Sequence, residues 1–382
     1  MDIFKFVTPE IIFGRGALQQ IGFSARRLGA RKVFLVSDPG VLDAGWVDKT
    51  ITVLGDAGLE YTMWTGVTPN PKDSEVAEGR QLYEEKGCDA VIALGGGSAI
   101  DAAKAVAVLV SNQGDISSYE GVDKISHPLP PIIALPTTAG SGAEVSQFSI
   151  IVDVKRKLKM TIISKSLVPD IAIIDPEVLG TKSAELTANT GMDALTHAIE
   201  SYTSVAATPL TDVQALNAIR LIANFLRKSV ASQSDFQAKE AMAMASLQAG
   251  LAFSNAILGA VHAMTHQLGG LLDMPHGEAN AILLPYVMRY NLIASMEKYA
   301  QVAEAFGESS LGVGKRAMAE KAISAVEEMA RDIGIPRSLS QVGLTDEFIP
   351  KLSENAVKDA CLVTNPRDMS RQEIERLFRE AL

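Results

Sequence analysis

The fold is decided by an apolar run that ends in small residues, Ala90-Val91-Ile92-Ala93-Leu94-Gly95-Gly96-Gly97-Ser98. Residues 90–94 are apolar without alternation, which is typical of a strand buried on both faces of a parallel sheet. The small residues at 95–98 then open a predicted helix. Glycines let the backbone approach a diphosphate, and the start of a helix offers free N–H groups to an anion. A triple glycine that does not match GxGxxG also suits a plain tight turn, so both interpretations stand at this point.

The alternation of apolar runs and helix-like stretches continues on both sides of this segment. Continuous apolar runs also occur at residues 31–38, 131–135 and 170–175. Helix-like stretches lie between the runs, at residues 41–54, 74–86 and 99–110. Strands that alternate with helices at this spacing form βαβ units with right-handed crossovers. The first half of the chain is therefore predicted to be an α/β domain with a parallel, Rossmann-like sheet.

After about Thr181 the signals for strands stop, and apolar residues recur at helical spacing. The predicted helices cover residues 210–230, 236–258, 296–306, 315–333 and 345–359. A capping box, Ser370 with Glu373 three residues later, predicts a last helix. A chain of 382 residues is also longer than one hydrophobic core usually serves. We expect two domains, an α/β domain at residues 1–183 and an all-helical domain at residues 184–382.

The composition favours small-molecule chemistry over nucleic-acid or membrane partners. Lys and Arg number 35 against 45 Asp and Glu, a net charge of −10, whereas nucleic acids and anionic membranes attract basic proteins. The two cysteines, Cys88 and Cys361, are too few for a disulfide framework, which fits a reducing cytoplasm. The first residues lack the basic start, apolar stretch and cleavage site of a signal peptide.

One segment, residues 241–272, contains no charged side chain and is long enough to cross a membrane. Polar side chains interrupt it, and they would be costly to place in lipid. These are Gln248, Asn255, His262, His266 and Gln267. We therefore predict buried helices of a folded domain and no membrane span.

A second loop of small residues strengthens the nucleotide interpretation. Pro136-Thr137-Thr138-Ala139-Gly140-Ser141-Gly142 follows the apolar run at residues 131–135. Two such loops at the carboxyl ends of strands would lie side by side, where ligands bind in doubly wound sheets. Asp38, also at a strand end, would hydrogen-bond the adenosine ribose and repel a 2′-phosphate, which favours NAD over NADP. Its alternative role is that of a helix cap or turn residue ahead of Pro39-Gly40.

Histidine is rare in this chain, and four of its five histidines fall into one group. Asp193 and His197 are four residues apart and would share a helix face, and His262 and His266 repeat that spacing. His276 follows shortly after them, whereas the fifth histidine lies in a predicted loop and is given no role. One carboxylate with several imidazoles suits a divalent metal such as Fe(II) or Zn(II). Spacing alone does not choose between His262 and His266 as ligands.

Together these segments resemble one protein family over essentially the whole chain, the iron-containing, or group III, alcohol dehydrogenases. The matching segments are Gly95-Gly96-Gly97-Ser98 with Asp101 and Lys104, Pro136-Thr137-Thr138-Ala139-Gly140, Thr190-Gly191-Met192-Asp193-Ala194-Leu195-Thr196-His197-Ala198-Ile199-Glu200, His262-Ala263-Met264-Thr265-His266-Gln267-Leu268-Gly269, Pro275-His276-Gly277, and Cys361 with Thr364-Asn365-Pro366-Arg367. The two histidine-bearing blocks are long and specific. The resemblance implies the fold that dehydroquinate synthase shares with these dehydrogenases, with NAD and a metal as cofactors.

The resemblance also assigns the metal and cofactor residues. It implies that the metal ligands are Asp193, His197, His262 and His276. It implies that the adenosine half of NAD meets Asp38 and Asn70, with Ser146 and Lys159 as further cofactor contacts. The diphosphate would then meet the two small-residue loops, at Gly95, Gly96, Gly97, Ser98, Thr137 and Thr138.

Other residues receive less direct roles from the resemblance. His266 is expected beside the nicotinamide, and Asp101 and Lys104 are expected to be structural. Cys361 lies in a segment that approaches the active site in the family, although a free cysteine is commonly a buried small side chain. Glu278 stands where relatives often carry Val, which leaves the preferred substrate open.

The implied reaction is the reversible, NAD-dependent oxidation of a small primary alcohol, or diol, to its aldehyde. The metal would act as a Lewis acid that stabilises the alkoxide, and the nicotinamide would take the hydride. His266 would relay the proton through ribose hydroxyls and water. The cleft between the domains is where such a site is expected.

Two other classes of function fit parts of the pattern. A lyase of the dehydroquinate synthase type has the same fold and uses NAD and a metal, but it would need basic residues for a phosphorylated acidic substrate. The segment at residues 262–276 contains no Lys or Arg. A non-catalytic metal-binding protein would not need two phosphate loops or Asp38.

The start of the chain predicts an assembly. Residues 3–7 and 10–13 are two short β-like runs ahead of the first βα unit. An exposed edge strand invites pairing with another chain, and a two-fold interface would satisfy it. We expect a homodimer or an assembly of dimers; the alternative is a hairpin that pairs only within its own domain.

Overall fold

Residues 4–272 and 274–382 are the part of the chain that the structure, a computed structural model, describes. They divide into two units, Val7–Thr181 and Lys182–Leu382, and residues 4–6 belong with the second unit. The first unit is α/β, and the second is helical.

The first unit is built on strands that alternate with helices. Its strands are β1 Glu10–Phe13, β2 Lys32–Val36, β3 Glu60–Trp64, β4 Ala90–Gly95, β5 Gly121–Val122, β6 Ile132–Pro136, β7 Phe148–Asp153, β8 Leu158–Ile163 and β9 Ile171–Ile174. Its helices are α1 Ile21–Arg27, α2 Pro39–Asp43, α3 Trp46–Asp56, α4 Asp73–Lys86 and α5 Gly97–Ser111.

Six of these strands form one parallel sheet, in the order β1-β9-β6-β4-β2-β3. Every residue of β4, β6 and β9 is buried, as continuous apolar runs predict for strands that are covered on both faces. The predicted parallel, Rossmann-like sheet is therefore confirmed. The edge strand β3 was not predicted, because only Trp64 of its five residues is buried and its sequence is not a continuous apolar run.

A second, three-stranded sheet, in the order β5-β8-β7, was also not predicted. Strands β7 and β8 form an antiparallel pair in which Phe148 lies opposite Ile163. Buried and half-buried residues alternate along β8, which is the pattern of a strand covered on one face. Such a strand lacks the uninterrupted apolar run that marks the main sheet.

The second unit contains helices only among the elements that the structure describes. They are α6 Ala184–Thr203, α7 Pro209–Ala231, α8 Phe236–Ala256, α9 Ala260–Leu272, α10 His276–Ala305, α11 Lys315–Asp332, α12 Ile349–Ala356 and α13 Arg371–Glu380. The capping box at Ser370 and Glu373 is present at the start of α13, as predicted. Helix α10 begins twenty residues before the predicted helix at 296–306, and it contains Pro285 and a non-helical Ser295.

Helices α8 and α9 come from the segment without charged side chains. Among the described residues, no single helix is long and apolar enough to cross a membrane, although α8 and α9 pass that test as a pair bent by 101°. The bend follows Ile257, whose φ of 63° is rare for a β-branched residue. Most residues of both helices are buried inside their unit.

The amino terminus agrees with the β-like pattern only in part. The run at residues 10–13 forms β1, which pairs with β9 at one edge of the six-stranded sheet. Ile3 lies outside the described residues, and residues 4–7 form no strand. Strand β1 is an edge strand, so one side of it carries backbone N–H and C=O groups that no strand among the described residues pairs with.

Candidate metal centre and nucleotide loops

Helix α6 supplies the first two residues of the predicted metal site. Ser183 caps it by accepting a hydrogen bond from the backbone N–H of Leu186. Asp193 and His197 are both buried and four residues apart, so they lie on the same face of the helix. The ring of His197 stacks on Phe253, with 4.4 Å between ring centroids, and this contact limits its rotation.

The four predicted ligands converge on one point. One ligand atom each from Asp193, His197, His262 and His276 lies within 4.8 Å of the others. The Nε2 atoms of His197, His262 and His276 lie 3.8, 3.9 and 3.8 Å from Oδ1 of Asp193. Bonds of about 2.0–2.2 Å to one ion allow ligand atoms up to about 4.4 Å apart, so these distances leave room for a divalent cation. The donor set therefore fits Fe(II) or Zn(II).

The protonation of His262 suits a metal ligand. Burial is the main cause that holds the pKa of His262 well below its ordinary value, and the neighbouring His197 lowers this pKa as well. Asp193 acts in the opposite direction. A neutral imidazole keeps a lone pair, which is the form that binds a metal. His262 is 1% exposed, whereas the side chain of His276 is 28% exposed. The four-residue cluster is therefore closed on the side of His262 and open on the side of His276.

Two polar residues around the cluster were not predicted. Oε2 of Glu200 lies 2.6 Å from Nδ1 of His262. Nδ2 of Asn280 donates to Oδ1 of Asp193 over 2.7 Å and lies 3.2 Å from Nε2 of His262. Both residues were detectable by spacing, because Glu200 comes three residues after His197 and Asn280 four residues after His276.

Glu200 is a buried acid with a shifted pKa. Burial raises the pKa of Glu200 to about 7, while the backbone N–H groups of Val261, Gly259 and His262 lower it. A divalent cation bound to His262 would favour the charged carboxylate still further.

Glu278, in the first turn of α10, has a raised pKa because it is partly buried and near Glu185.

His266 lies next to the four ligands but has a different partner. Its ring stacks on His276, with centroids 5.6 Å apart, and its Nδ1 lies 2.9 Å from Oδ2 of Asp359. The backbone N–H of Cys361 donates to Oδ1 of the same carboxylate. Cys361 is buried, and this burial is the main reason why the pKa of its thiol lies well above the ordinary value. It is thus a neutral buried side chain beside His266.

The two small-residue loops of the first unit lie side by side. They follow β4 and β6, which are neighbours in the sheet. A side chain built on Gly96 would come 3.4 Å from Oγ1 of Thr138, and one on Gly97 would come 2.9 Å from Cβ of Ser141. This placement follows from the pairing of β4 with β6, and it is compatible with a tight turn at Gly95–Gly97 as well as with a shared diphosphate site.

Asp38 adjoins the same loops. It follows β2, and a side chain built on Gly95 would come 3.2 Å from its Oδ2. Its Oδ1 accepts a hydrogen bond from the backbone N–H of Val41 and caps α2. The helix-cap alternative is therefore present in the structure, and it leaves the second carboxylate oxygen facing the glycine loop.

The remaining predicted cofactor residues are spread over the same unit. Asn70 has a positive φ of 53° in the loop between β3 and α4, and Lys159 lies on β8 opposite Val152. Ser146 is 2% exposed, and its Oγ accepts a hydrogen bond from Nζ of Lys104. Nothing in these positions tests a cofactor contact.

Lys104 acts as a structural tie, as expected. Its buried Nζ donates to the carbonyl oxygens of Ala143, Ser146 and Phe148 over 2.6, 2.8 and 2.9 Å. Burial lowers the pKa of Lys104 to about 8, while the nearby Asp101 opposes this. The side chain thus fastens α5 to the segment that follows the second small-residue loop.

Paired nucleotide loops and a cluster of one carboxylate with three imidazoles are the features of a metal-dependent dehydrogenase. Comparison with known proteins agrees. A family model described as "Iron-containing alcohol dehydrogenase" matches residues 8–176. A second, described as "Fe-containing alcohol dehydrogenase family, C-terminal", matches residues 187–382.

Individual proteins match over the full length. The chain is 46% identical over 382 residues to the 1,3-propanediol dehydrogenase of Klebsiella pneumoniae, and the match covers 99% of each protein. It is 40% identical over 377 residues to the NAD-dependent methanol dehydrogenase of Bacillus methanolicus, again over 99% of each. The crystal structure of a 1,3-propanediol oxidoreductase superposes with a TM-score of 0.98 at 46% identity and covers 100% of both chains.

This chain belongs to the iron-containing alcohol dehydrogenase family. The predicted family, its fold and its enzyme class are therefore confirmed. The alternative classes, a lyase and a non-catalytic metal-binding protein, are not favoured.

Proposed function

We propose that this protein interconverts a small primary alcohol or diol and its aldehyde, with NAD as hydride carrier and Fe(II) as metal. The observation that carries the proposal is the convergence of Asp193, His197, His262 and His276 within 4.8 Å. Zn(II) suits the same nitrogen and oxygen ligands. The names of the relatives, which refer to 1,3-propanediol and methanol, support a small alcohol as substrate.

We assign NAD to residues 1–183 and the metal to residues 184–382. The proposed cofactor contacts are Asp38, Asn70, Gly95, Gly96, Gly97, Ser98, Thr137, Thr138, Ser146 and Lys159. The side-by-side placement of the two loops and Asp38 supports this assignment. A carboxylate at the end of β2 would accept from the ribose hydroxyls and repel a 2′-phosphate.

When bound, the metal supplies Lewis acidity, which makes the alcohol hydroxyl easier to deprotonate. The residues of the chain prepare the site for this. Asp193 contributes one negative charge beside three imidazoles, of which His262 is held neutral. Their burial keeps competing water away from the side of His262.

When bound, NAD would supply the acceptor for the hydride of the alcohol carbon, and the O–H bond of the alcohol would release its proton. The products are the aldehyde, NADH and one proton. His266 is the proposed relay for that proton. Because Asp359 holds its Nδ1, Nε2 is the nitrogen that remains to accept and release a proton.

A substrate panel tests the proposal. The protein is purified without oxygen, loaded with Fe(II) or Zn(II), and mixed with NAD and primary alcohols or with NADH and aldehydes. We expect a change in NADH absorbance with short alcohols and diols. No turnover of any alcohol or aldehyde by a protein that holds a full equivalent of metal would contradict the proposal.

We also propose a homodimer, or an assembly of dimers, in the cytoplasm. The position of β1 at the edge of the six-stranded sheet supports pairing between chains. Cys88 and Cys361 are both free and buried, which suits a reducing compartment.

A further inference from the structure

We propose that Glu200 is a positioning residue which selects the metal-binding tautomer of His262 and fixes the start of α9. The inference rests on the proposed ligand set, and it concerns a residue outside that set. Glu200 lies on α6, three residues after His197 and seven after Asp193. One face of a single helix therefore carries two ligands and the carboxylate that contacts a third ligand.

One oxygen of Glu200 contacts the imidazole of His262. Glu200 is 5% exposed, and its Oε2 lies 2.6 Å from Nδ1 of His262. In its ionised form this carboxylate can only accept, which places the proton of the neutral imidazole on Nδ1. The lone pair then resides on Nε2, the atom that lies 3.9 Å from Oδ1 of Asp193. Glu200 thus turns the metal-binding nitrogen of His262 toward the ligand cluster.

Asn280 gives an independent sign of the same tautomer. Its Nδ2 lies 2.7 Å from Oδ1 of Asp193 and 3.2 Å from Nε2 of His262. An amide NH2 group can only donate, so Nε2 of His262 must be the acceptor. Both neighbours of the ring therefore require a proton on Nδ1 and none on Nε2.

Glu200 also contacts the start of α9. The other oxygen of Glu200, Oε1, accepts from the backbone N–H of Val261 over 2.6 Å. Oδ1 of Asn365 accepts from the N–H of Ala260 over 3.2 Å. These two side chains bind N–H groups that the first turn of a helix leaves without a partner inside the helix. Only Glu200 also contacts an imidazole.

The backbone before α9 is shaped around these two side chains. A side chain built on Gly259 would come 2.9 Å from Oε1 of Glu200 and 3.1 Å from Oδ1 of Asn365. Ile257, two residues earlier, has the positive φ that ends α8. This unfavourable backbone conformation lies in the three-residue link between α8 and α9.

The substitution Glu200→Gln tests the tautomer without changing the size of the side chain. If its amide oxygen accepts from Val261, its NH2 group faces Nδ1 of His262 and favours the tautomer with the proton on Nε2. That proton occupies the lone pair that the metal needs. If the amide is turned the other way, its NH2 group opposes the N–H of Val261. Either orientation weakens metal binding.

Asn365→Ala is the matched control, because it removes a contact with the start of α9 but touches no imidazole. The metal dissociation constants for Co(II) and Zn(II) are measured on the full-length, metal-free proteins by competition with a chromophoric chelator. We expect Glu200→Gln to weaken binding about 10- to 100-fold. We expect Asn365→Ala to change it by less than about 3-fold, even if its melting temperature falls further.

Nitrogen NMR of the wild-type protein, labelled with ¹⁵N in histidine and free of metal, gives a readout that does not depend on any variant. At a pH above the pKa of Glu200, we expect His262 to carry its proton on Nδ1. A proton on Nε2 would overturn the inference, as would wild-type metal affinity in Glu200→Gln or equal losses in both variants. His262→Ala distinguishes a failure of this inference from a failure of the proposed ligand set, because full metal affinity in that variant would overturn the ligand set.

Discussion

Oδ2 of Asp359 lies 2.9 Å from Nδ1 of His266, and this contact separates the two histidines of α9. His262 and His266 are one helical turn apart, yet the carboxylate of one comes from α6 and that of the other from the segment after α12. Although burial disfavours the charged form, His266 and the N–H of Cys361 hold the pKa of Asp359 below its ordinary value. His266 therefore keeps a charged partner of its own.

The contact predicts that Asp359→Asn slows turnover without removing the metal. Asparagine would no longer stabilise a positive charge on His266, and we expect kcat to fall about 10-fold or more, up to the roughly 10²–10⁴-fold contribution typical of proton-transfer residues. Steady-state kinetics and elemental analysis check the prediction. Glu354→Gln, a substitution of an exposed carboxylate that pairs with Lys351 and Lys358, should leave both readouts unchanged. A metal-free Asp359→Asn protein would place His266 among the ligands.

The ligand assignment predicts that His262→Ala loses its metal and its turnover. Three remaining ligands hold an ion more weakly, and the buried ring leaves a cavity. Metal content after gel filtration, measured beside the rate of NADH formation, tests this. His127→Ala, which removes the exposed fifth histidine, should keep metal and activity. Full metal content in His262→Ala would contradict the assignment.

The proposed role of Asp38 predicts that the enzyme prefers NAD over NADP. Asp38→Asn keeps an oxygen that can cap α2 but removes the negative charge, whereas Asp38→Gly removes both. We expect both variants to raise kcat/KM with NADPH about 10-fold or more, because the repulsion of the 2′-phosphate is lost. Asp38→Gly should in addition have a lower melting temperature. Equal use of NADH and NADPH by the wild-type protein would show that Asp38 does not discriminate.

The edge position of β1 predicts the assembly. Light scattering at micromolar concentration should give a mass of at least twice the 40.6 kDa of one chain. A variant without residues 1–13 should dissociate or become insoluble. Tyr61→Lys, a substitution on the opposite edge strand β3, should leave the mass unchanged. The mass of a single chain for the intact protein would rule the assembly out.

Local patterns in the sequence were sufficient for much of the fold. Continuous apolar runs identified β2, β4, β6 and β9, because strands covered on both faces need apolar side chains at every position. Helical spacing identified the helical second unit and the shared face of Asp193 and His197. Strands β3 and β8 were not predicted, because partial exposure leaves no continuous apolar run in their sequences. Strand β7 was not predicted either, because its apolar run, Ile150–Val152, is only three residues long.

The sequence by itself determined which residue types could bind a metal and which helix faces carry them. It did not determine which histidine of α9 lies in the cluster with Asp193, because His262 and His266 are one turn apart on the same face of the helix. The tertiary structure separates them through Glu200, 62 residues away from His262, and Asp359, 93 residues away from His266. Contacts between residues so distant in the chain arise only when the helices pack, so no local periodicity records them.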